Sequence, residues 1–192
     1  MPTWVALLRA VNVGGRNKVP MADLRRVVEA LPATDVRTYV QSGNVVFRSP
    51  VRSEPALVDA LAAALRDTFG FEIGVIVRDA AGLAAALAGN PLLGEGRAAT
   101  HLALTFLSAT PAAGTLAPGI QRLGDEEYAL VGRELYLYAP DGLGRSKLGP
   151  VLAERKLGVR GTTRNWRSVT ALAAMAADAT GSWPAARRSG PG

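Results

Sequence analysis

An α+β fold made of two tandem βαββαβ units, each with an extra C-terminal helix, follows from three observations. Short β-branched or aromatic runs alternate with stretches whose apolar residues recur at helical spacing. The order of these elements over residues 3–90 recurs over residues 101–178. The chain has 192 residues, 48% of them hydrophobic and 20% charged, which suits two small packed units rather than a disordered or fibrous chain.

Trp4–Leu8 is a short apolar run and reads as a buried strand. Asn12–Lys18, with Gly14 and Gly15, reads as a loop. Pro20 suits the first turn of a helix on which Met21, Leu24, Val28 and Leu31 form the apolar face, and Pro32 stops it. Val36–Val40 and Val45–Phe47 are strands joined through Gln41-Ser42-Gly43-Asn44, a hairpin signal. Leu57, Leu61, Ala64 and Leu65 mark the next helix, and Ile73–Val77 is a β-branched strand. Asp79 is placed to cap a helix running through Ala88, which Asn90-Pro91 ends.

The second half repeats the order. His101–Leu107 is a strand, Pro111–Leu116 a short helix, and Tyr128–Val131 and Leu135–Tyr138 strands about a Gly132-Arg133 turn. Gly149–Leu157 reads as helical, Val159–Thr163 as a short strand, and Trp166, Val169, Leu172, Ala173 and Ala176 as the face of a last helix. This is the split βαβ, or ferredoxin-like, unit twice, with antiparallel sheets covered by helices. The domain reading is a first unit over 1–92, a second over 98–180 packed on it, and a flexible Pro/Gly/Arg-rich tail over 181–192.

Composition removes whole classes of chemistry. There is no cysteine, hence no disulfide, thiolate zinc site or cysteine nucleophile. A single histidine, His101, excludes a multi-histidine metal site, and no cofactor is called for. No signal-peptide core or spanning apolar segment is present, so a cytoplasmic protein without a membrane role is expected. Net charge is +4 over 1–50, −4 over 51–132 and +6 over 133–192. Nineteen of the 22 basic residues are Arg, and with the heavy use of Ala this fits a GC-rich genome as readily as nucleic-acid binding.

Three basic turns carry what chemistry there is. Arg9, Asn12, Gly14, Gly15, Arg16, Asn17 and Lys18 lie between a strand and a helix. Glycines there let backbone N–H groups approach a ligand, and the cations add charge, which is the physics of an anion site. The Gly-Lys-Ser/Thr order of a phosphate-binding P-loop is absent. Arg145, Ser146 and Lys147 precede a second helix, and Arg164 and Asn165 a third. Cations in a first helical turn oppose the helix dipole by ~0.3–1 kcal/mol each, so a negative partner would offset them. The acidic run Asp125-Glu126-Glu127 is a rival partner within the chain. Gln41, Ser42 and Asn44 are polar enough to reach a ligand, although turn chemistry alone explains them. His101 is read as structural, Trp166 as core, and Tyr136 with Tyr138 as strand packing.

Several motifs resemble a bacterial family, the one catalogued as domain of unknown function 1697. They are Leu7-Leu8-Arg9-Ala10-Val11-Asn12-Val13-Gly14-Gly15, Lys18-Val19-Pro20-Met21, Thr38–Phe47, Gly142–Leu148 and Thr163-Arg164-Asn165-Trp166. The resemblance spans about residues 3–175 and departs at Ala10, where the family usually carries Gly. It implies an α+β fold with duplicated ferredoxin-like units and no established reaction.

Three functions compete. The first is binding of a phosphate-bearing ligand, a nucleotide or nucleic acid, at the basic loops. The second, by analogy of fold with acylphosphatases, is a phosphate-ester or acyl-phosphate hydrolase in which Arg16 binds phosphate and Asn44 positions water. The third is a protein–protein interaction module, with the chain a monomer or weak dimer.

Overall fold

The computed structural model of the chain describes residues 1–180, and the segment expected as a tail, 181–192, lies outside them. The first strand, β1 (Thr3–Leu8), is buried at every position. A one-sided strand alternates wet and dry, so an unbroken buried run needs cover on both faces. β1 sits inside a four-stranded antiparallel sheet with β2 (Thr34–Tyr39), β3 (Asn44–Arg48) and β4 (Val75–Asp79), in the order β2-β3-β1-β4.

One face of this sheet carries Trp4, Ala6, Leu8, Val45, Phe47 and Val77 into a core with helices α1 (Met21–Glu29) and α2 (Glu54–Phe69). The opposite face carries Val5, Leu7, Val46 and Ile76 into a second core with α3 (Ala80–Ala88) and α6 (Trp166–Thr180). Each large side chain buried this way contributes ~1.5–3 kcal/mol. Local signals start and stop the helices, the Asp79 cap among them as expected. Asp79 Oδ1 accepts from Gly82 N–H at 2.7 Å to begin α3, Ser53 Oγ accepts from Ala56 N–H at 3.3 Å to begin α2, and left-handed Gly70 ends α2.

The second sheet has five antiparallel strands, β5 (Leu102–Leu107), β6 (Ile120–Leu123), β7 (Glu126–Val131), β8 (Glu134–Tyr138) and β9 (Gly161–Asn165), in the order β6-β7-β8-β5-β9. Its inner face sends Leu102, Leu104, Phe106 and Tyr136 into the same core as α3 and α6. Those two helices are therefore the filling between the sheets, and the fold is mixed α+β in layers. The outer face of the second sheet, with Leu107, Leu135 and Leu137, meets the segment of α4 (Leu148–Val151) and α5 (Glu154–Leu157) and Leu116 of the connection between β5 and β6.

Several elements differ from expectation. Pro111–Leu116 forms no helix; Gly114 in its middle takes a left-handed φ of 84°, and the connection instead ends in β6. β6 exists because Ile120–Leu123 pairs with Glu126–Ala129, a tertiary cause that periodicity does not report. The single helix expected over Gly149–Leu157 is two one-turn pieces, with the poor helix formers Gly149 and Pro150 in the first. The strand expected over Val159–Thr163 lies two residues later. At the β2–β3 turn, a Cβ on Gly43 would come within 2.6 Å of Val11 Cγ2 and 2.7 Å of Leu8 Cβ, so only glycine lets the turn close on the end of β1. Among the described residues no helix is long and apolar enough to cross a membrane.

Candidate functional site

The outer face of the first sheet is covered by helices of 9 and 16 residues, that of the second by two of 4 residues each. The shortfall leaves a cleft of about 680 Å³ between β5, β8 and β9 and the overlying segment 143–157. Its floor follows from strand parity. Thr105 and Thr163 are cross-strand partners on the outer face, and their hydroxyls lie 2.7 Å apart. Leu107, Leu137, Leu148 and Leu152 supply apolar wall, and Ser146, Glu154 and Arg155 line the cover.

Arg9 closes one end. Its Nε and Nη2 each donate to a different oxygen of Glu154, both at 2.7 Å, in a bidentate pair. Glu154 Oε1 also accepts from Gly161 N–H at 2.9 Å. Arg9 borders in addition a second cavity of about 420 Å³, with Gly74, Ser108, Gly158 and Arg160. Arg155 lines the cleft with Arg9, while Arg145, Lys147 and Lys156 are exposed on the covering stretch without lining it, Arg160 lines only the second cavity, and Glu154 is spent on Arg9.

The cover is pinned by the acidic run of the hairpin between β6 and β7. Glu126 accepts from Ser146 Oγ at 2.6 Å and from Lys147 N–H at 2.9 Å. Burial raises its pKa, but these bonds, one from Leu148 N–H and the Lys147 charge outweigh it and hold the carboxyl below its usual 4.5. A depressed folded pKa means stabilisation that is present above the unfolded value and lost as pH falls through the folded one. Acidification from about pH 6 to below about pH 4 is therefore expected to lower the amide protection factor of Lys147 in wild type and not in Glu126→Gln. Equal pH responses in the two proteins, measured by NMR hydrogen exchange, would refute this anchor.

The predicted site residues separate into three groups. Arg9 and Ser146 line the cleft, and Arg145 and Lys147 are exposed beside Ser146. Gly14, Gly15, Arg16, Asn17 and Lys18 are exposed but line neither cavity. Their loop is closed on itself: Arg16 N–H donates to Val13 O, Asn12 N–H to Asn17 O, and the Asn17 amide to Ala10 O, each at 3.1 Å. Asn12 bridges Val19 and Gln41, donating to both carbonyls and accepting from Val19 N–H at 2.9 Å. Asn12 and Asn17 thus stabilise the loop with the groups a ligand would have needed.

The third group lies at and beside the seam between the halves, with Arg164 and Asn44 buried, Ser42 half-buried and Asn165 exposed. Arg164 is 8% exposed and all five of its N–H donors are used. Nε donates to Asn44 Oδ1 at 2.5 Å. Nη1 donates to Thr162 Oγ1 and Thr163 O, and Nη2 to Leu8 O and Ser42 O, at 2.8–3.0 Å. No carboxylate is among these acceptors, and burial pushes the guanidinium down to about 10. Asn44 is fully buried and also donates to Tyr39 O and Ser42 Oγ. Asn165 accepts from Ser168 N–H at 2.8 Å, a cap for α6. The guanidinium of Arg164, the amide of Asn44, the carbonyl and hydroxyl oxygens of Ser42 and the Oδ1 of Asn165 are thus engaged in bonds within the fold. Thr105, Thr163, Glu154 and Arg155 line the cleft and Arg160 the second cavity, and nothing in the sequence had singled them out. Among the described residues no group of three or more His, Cys, Asp or Glu is arranged to hold a metal.

The family described as "Protein of unknown function (DUF1697)" matches residues 1–136. That span includes Arg9 and Thr105 and stops before the cover of the cleft. Among solved structures, the chain is similar to the conserved bacterial protein SP0830 from Streptococcus pneumoniae, at 21% identity and a TM-score of 0.68, over 91% of this chain and 98% of that one. At that identity the likeness speaks to the fold alone. No curated protein matches the sequence.

Proposed function

Because the chain belongs to the DUF1697 family of proteins of unknown function, its activity has to be read from its own site, and we propose that it binds a phosphate-bearing ligand, a nucleotide or nucleic acid, in the cleft over the second sheet. The observation that carries this reading is the composition of the cleft. The Arg9 guanidinium and paired hydroxyls line it, Arg155 adds a second cation from the cover, and leucine walls leave room for an uncharged moiety. The first basic loop, with Arg16 and Lys18, is not part of this site.

A thermal-shift panel of inorganic phosphate, mononucleotides and short oligonucleotides tests it. A ligand at a hundred times its dissociation constant stabilises by ~2.7 kcal/mol, which for a chain of this size raises the midpoint by roughly 5–10 °C. The rise should shrink in Arg155→Ala and Thr105→Val and persist in Arg16→Ala. With nucleic acid it should also fall as salt increases. A panel without any shift, or a shift indifferent to both cleft substitutions, overturns the proposal.

The same reading extends to the fold. A duplicated ferredoxin-like unit, over 1–92 and 98–180, is supported by the order β2-β3-β1-β4 in one sheet and β7-β8-β5-β9 in the other. In each half a further helix, α3 or α6, follows the last of these strands. On this view β6 and the α4–α5 segment stand in the second half where α1 and α2 stand in the first, and the loss of those helices is what opened the cleft.

A further inference from the structure

We infer that Glu154 is the resident occupant of the seat that the ligand's phosphate takes, so that binding is an exchange of one anion for another on Arg9; this rests on the ligand reading above. The seat is built for an oxyanion. The Nε and Nη2 edge of Arg9 grips two carboxylate oxygens at 2.7 Å each, the fork geometry that also matches two oxygens of a phosphate. Arg9 is fixed from the scaffold side, because its own N–H donates to Gly74 O at 2.8 Å beside β4. Glu154 is held differently. It belongs to a one-turn helix between Gly149 and left-handed Gly158, in a segment covering the cleft rather than in a sheet.

Exposure favours exchange. The side chains of Arg9 and Glu154 are 41% and 35% exposed, so an incoming anion reaches the pair without unfolding anything. Partly exposed pairs of this kind are weak relative to buried ones, which keeps displacement within reach of ligand binding energy. Once displaced, Glu154 gives up Gly161 N–H as well as Arg9, which couples occupancy of the seat to the start of β9. Arg155, which lines the cleft with Arg9, and Arg160, which lines the second cavity with Arg9, receive the released carboxylate or the second charge of a phosphate.

The test measures affinity for inorganic phosphate by titration calorimetry in wild type, Glu154→Gln and Arg9→Lys. Gln keeps an acceptor for Gly161 N–H and removes the competing charge, so phosphate should bind about tenfold more tightly. Lys keeps the charge and loses the fork, so binding should weaken about tenfold or more. Phosphate should also lower the amide protection of Gly161 in wild type. If wild type binds phosphate and Glu154→Gln binds equally or less tightly, the exchange is overturned and the ligand reading stands. If neither wild type nor Glu154→Gln binds phosphate or any nucleotide of the panel, the ligand reading falls and the exchange with it.

Discussion

Arg164→Ala is expected to lower the melting temperature by roughly 6–12 °C or more, from a loss of at least about 3 kcal/mol. Five bonds are lost at once, with Leu8 O keeping only the longer bond from Thr162 Oγ1 at 3.4 Å, and two of the five, to Leu8 O and Ser42 O, tie the end of β1 to the β2–β3 turn. Each acceptor left dry costs ~1–3 kcal/mol, and water admitted to the void recovers only part of it. The opposing effect is the desolvation of a guanidinium with no carboxylate beside it, which removal of the side chain would relieve. Five hydrogen bonds to a charged donor outweigh that penalty, or the side chain would not be drawn in. Arg164→Lys separates charge from geometry. It keeps the cation but has three donors for five acceptors, so most of the loss should remain. Chemical denaturation placing Arg164→Ala within 1 kcal/mol of wild type would show that the seam does not depend on it. In a lysine variant that still folds, phosphate binding in the cleft should be unchanged, because Arg164 contributes no free donor there.

Why the sequence misplaces Arg164 is a matter of two residues. A strand that stops at Thr163 leaves Arg164 as an outward cation at a helix start. The strand in fact runs Gly161–Asn165, and its alternation turns Thr162 and Arg164 inward and Thr163 and Asn165 outward. The same parity puts Thr163 in the cleft. Its partnership with Thr105 is a long-range register, which no local pattern contains. By contrast, β1, α2 and the Asp79 cap are legible, because an apolar run, a 3.6-residue stripe and a capping oxygen act within a few residues of themselves. The cleft was illegible for the opposite reason. It arises from what the second half lacks, two full helices over its outer face, and a missing element leaves little trace in residues that read as helical.

Arg78→Leu is the second substitution expected to be severe, at about 3–5 kcal/mol. Arg78 is 3% exposed on β4 and reaches into the second half of the chain. Nε donates to Glu134 Oε1 at 2.8 Å, Nη2 to Leu107 O at 2.8 Å, and Nη1 to Val77 O at 2.9 Å, while the guanidinium stands 5.7 Å over the ring of Phe106. Beside it Arg133 grips Glu54 with bonds of 2.6 and 2.9 Å, so four charges from the two halves share one site. Glu54 is the main reason that the Arg133 pKa is raised, against the opposing pull of burial. Removing Arg78 leaves Glu134 partly buried without its cation, and leaving a buried charge unmatched is what makes such losses large. A full apolar replacement separates this cost from the others. In Arg78→Leu/Glu134→Leu the stranded carboxylate is gone, so part of the stability should return. Not all of it can, because the Leu107 and Val77 carbonyls still lack a donor. The control is Arg26→Ala, which breaks an exposed pair with Asp23 one turn away on α1 and should change stability by less than about 0.5 kcal/mol. A double-mutant cycle from urea denaturation reads the coupling between Arg78 and Glu134. A coupling no larger than that of an exposed pair would mean that packing of α3 and α6, rather than this ionic cluster, joins the two sheets.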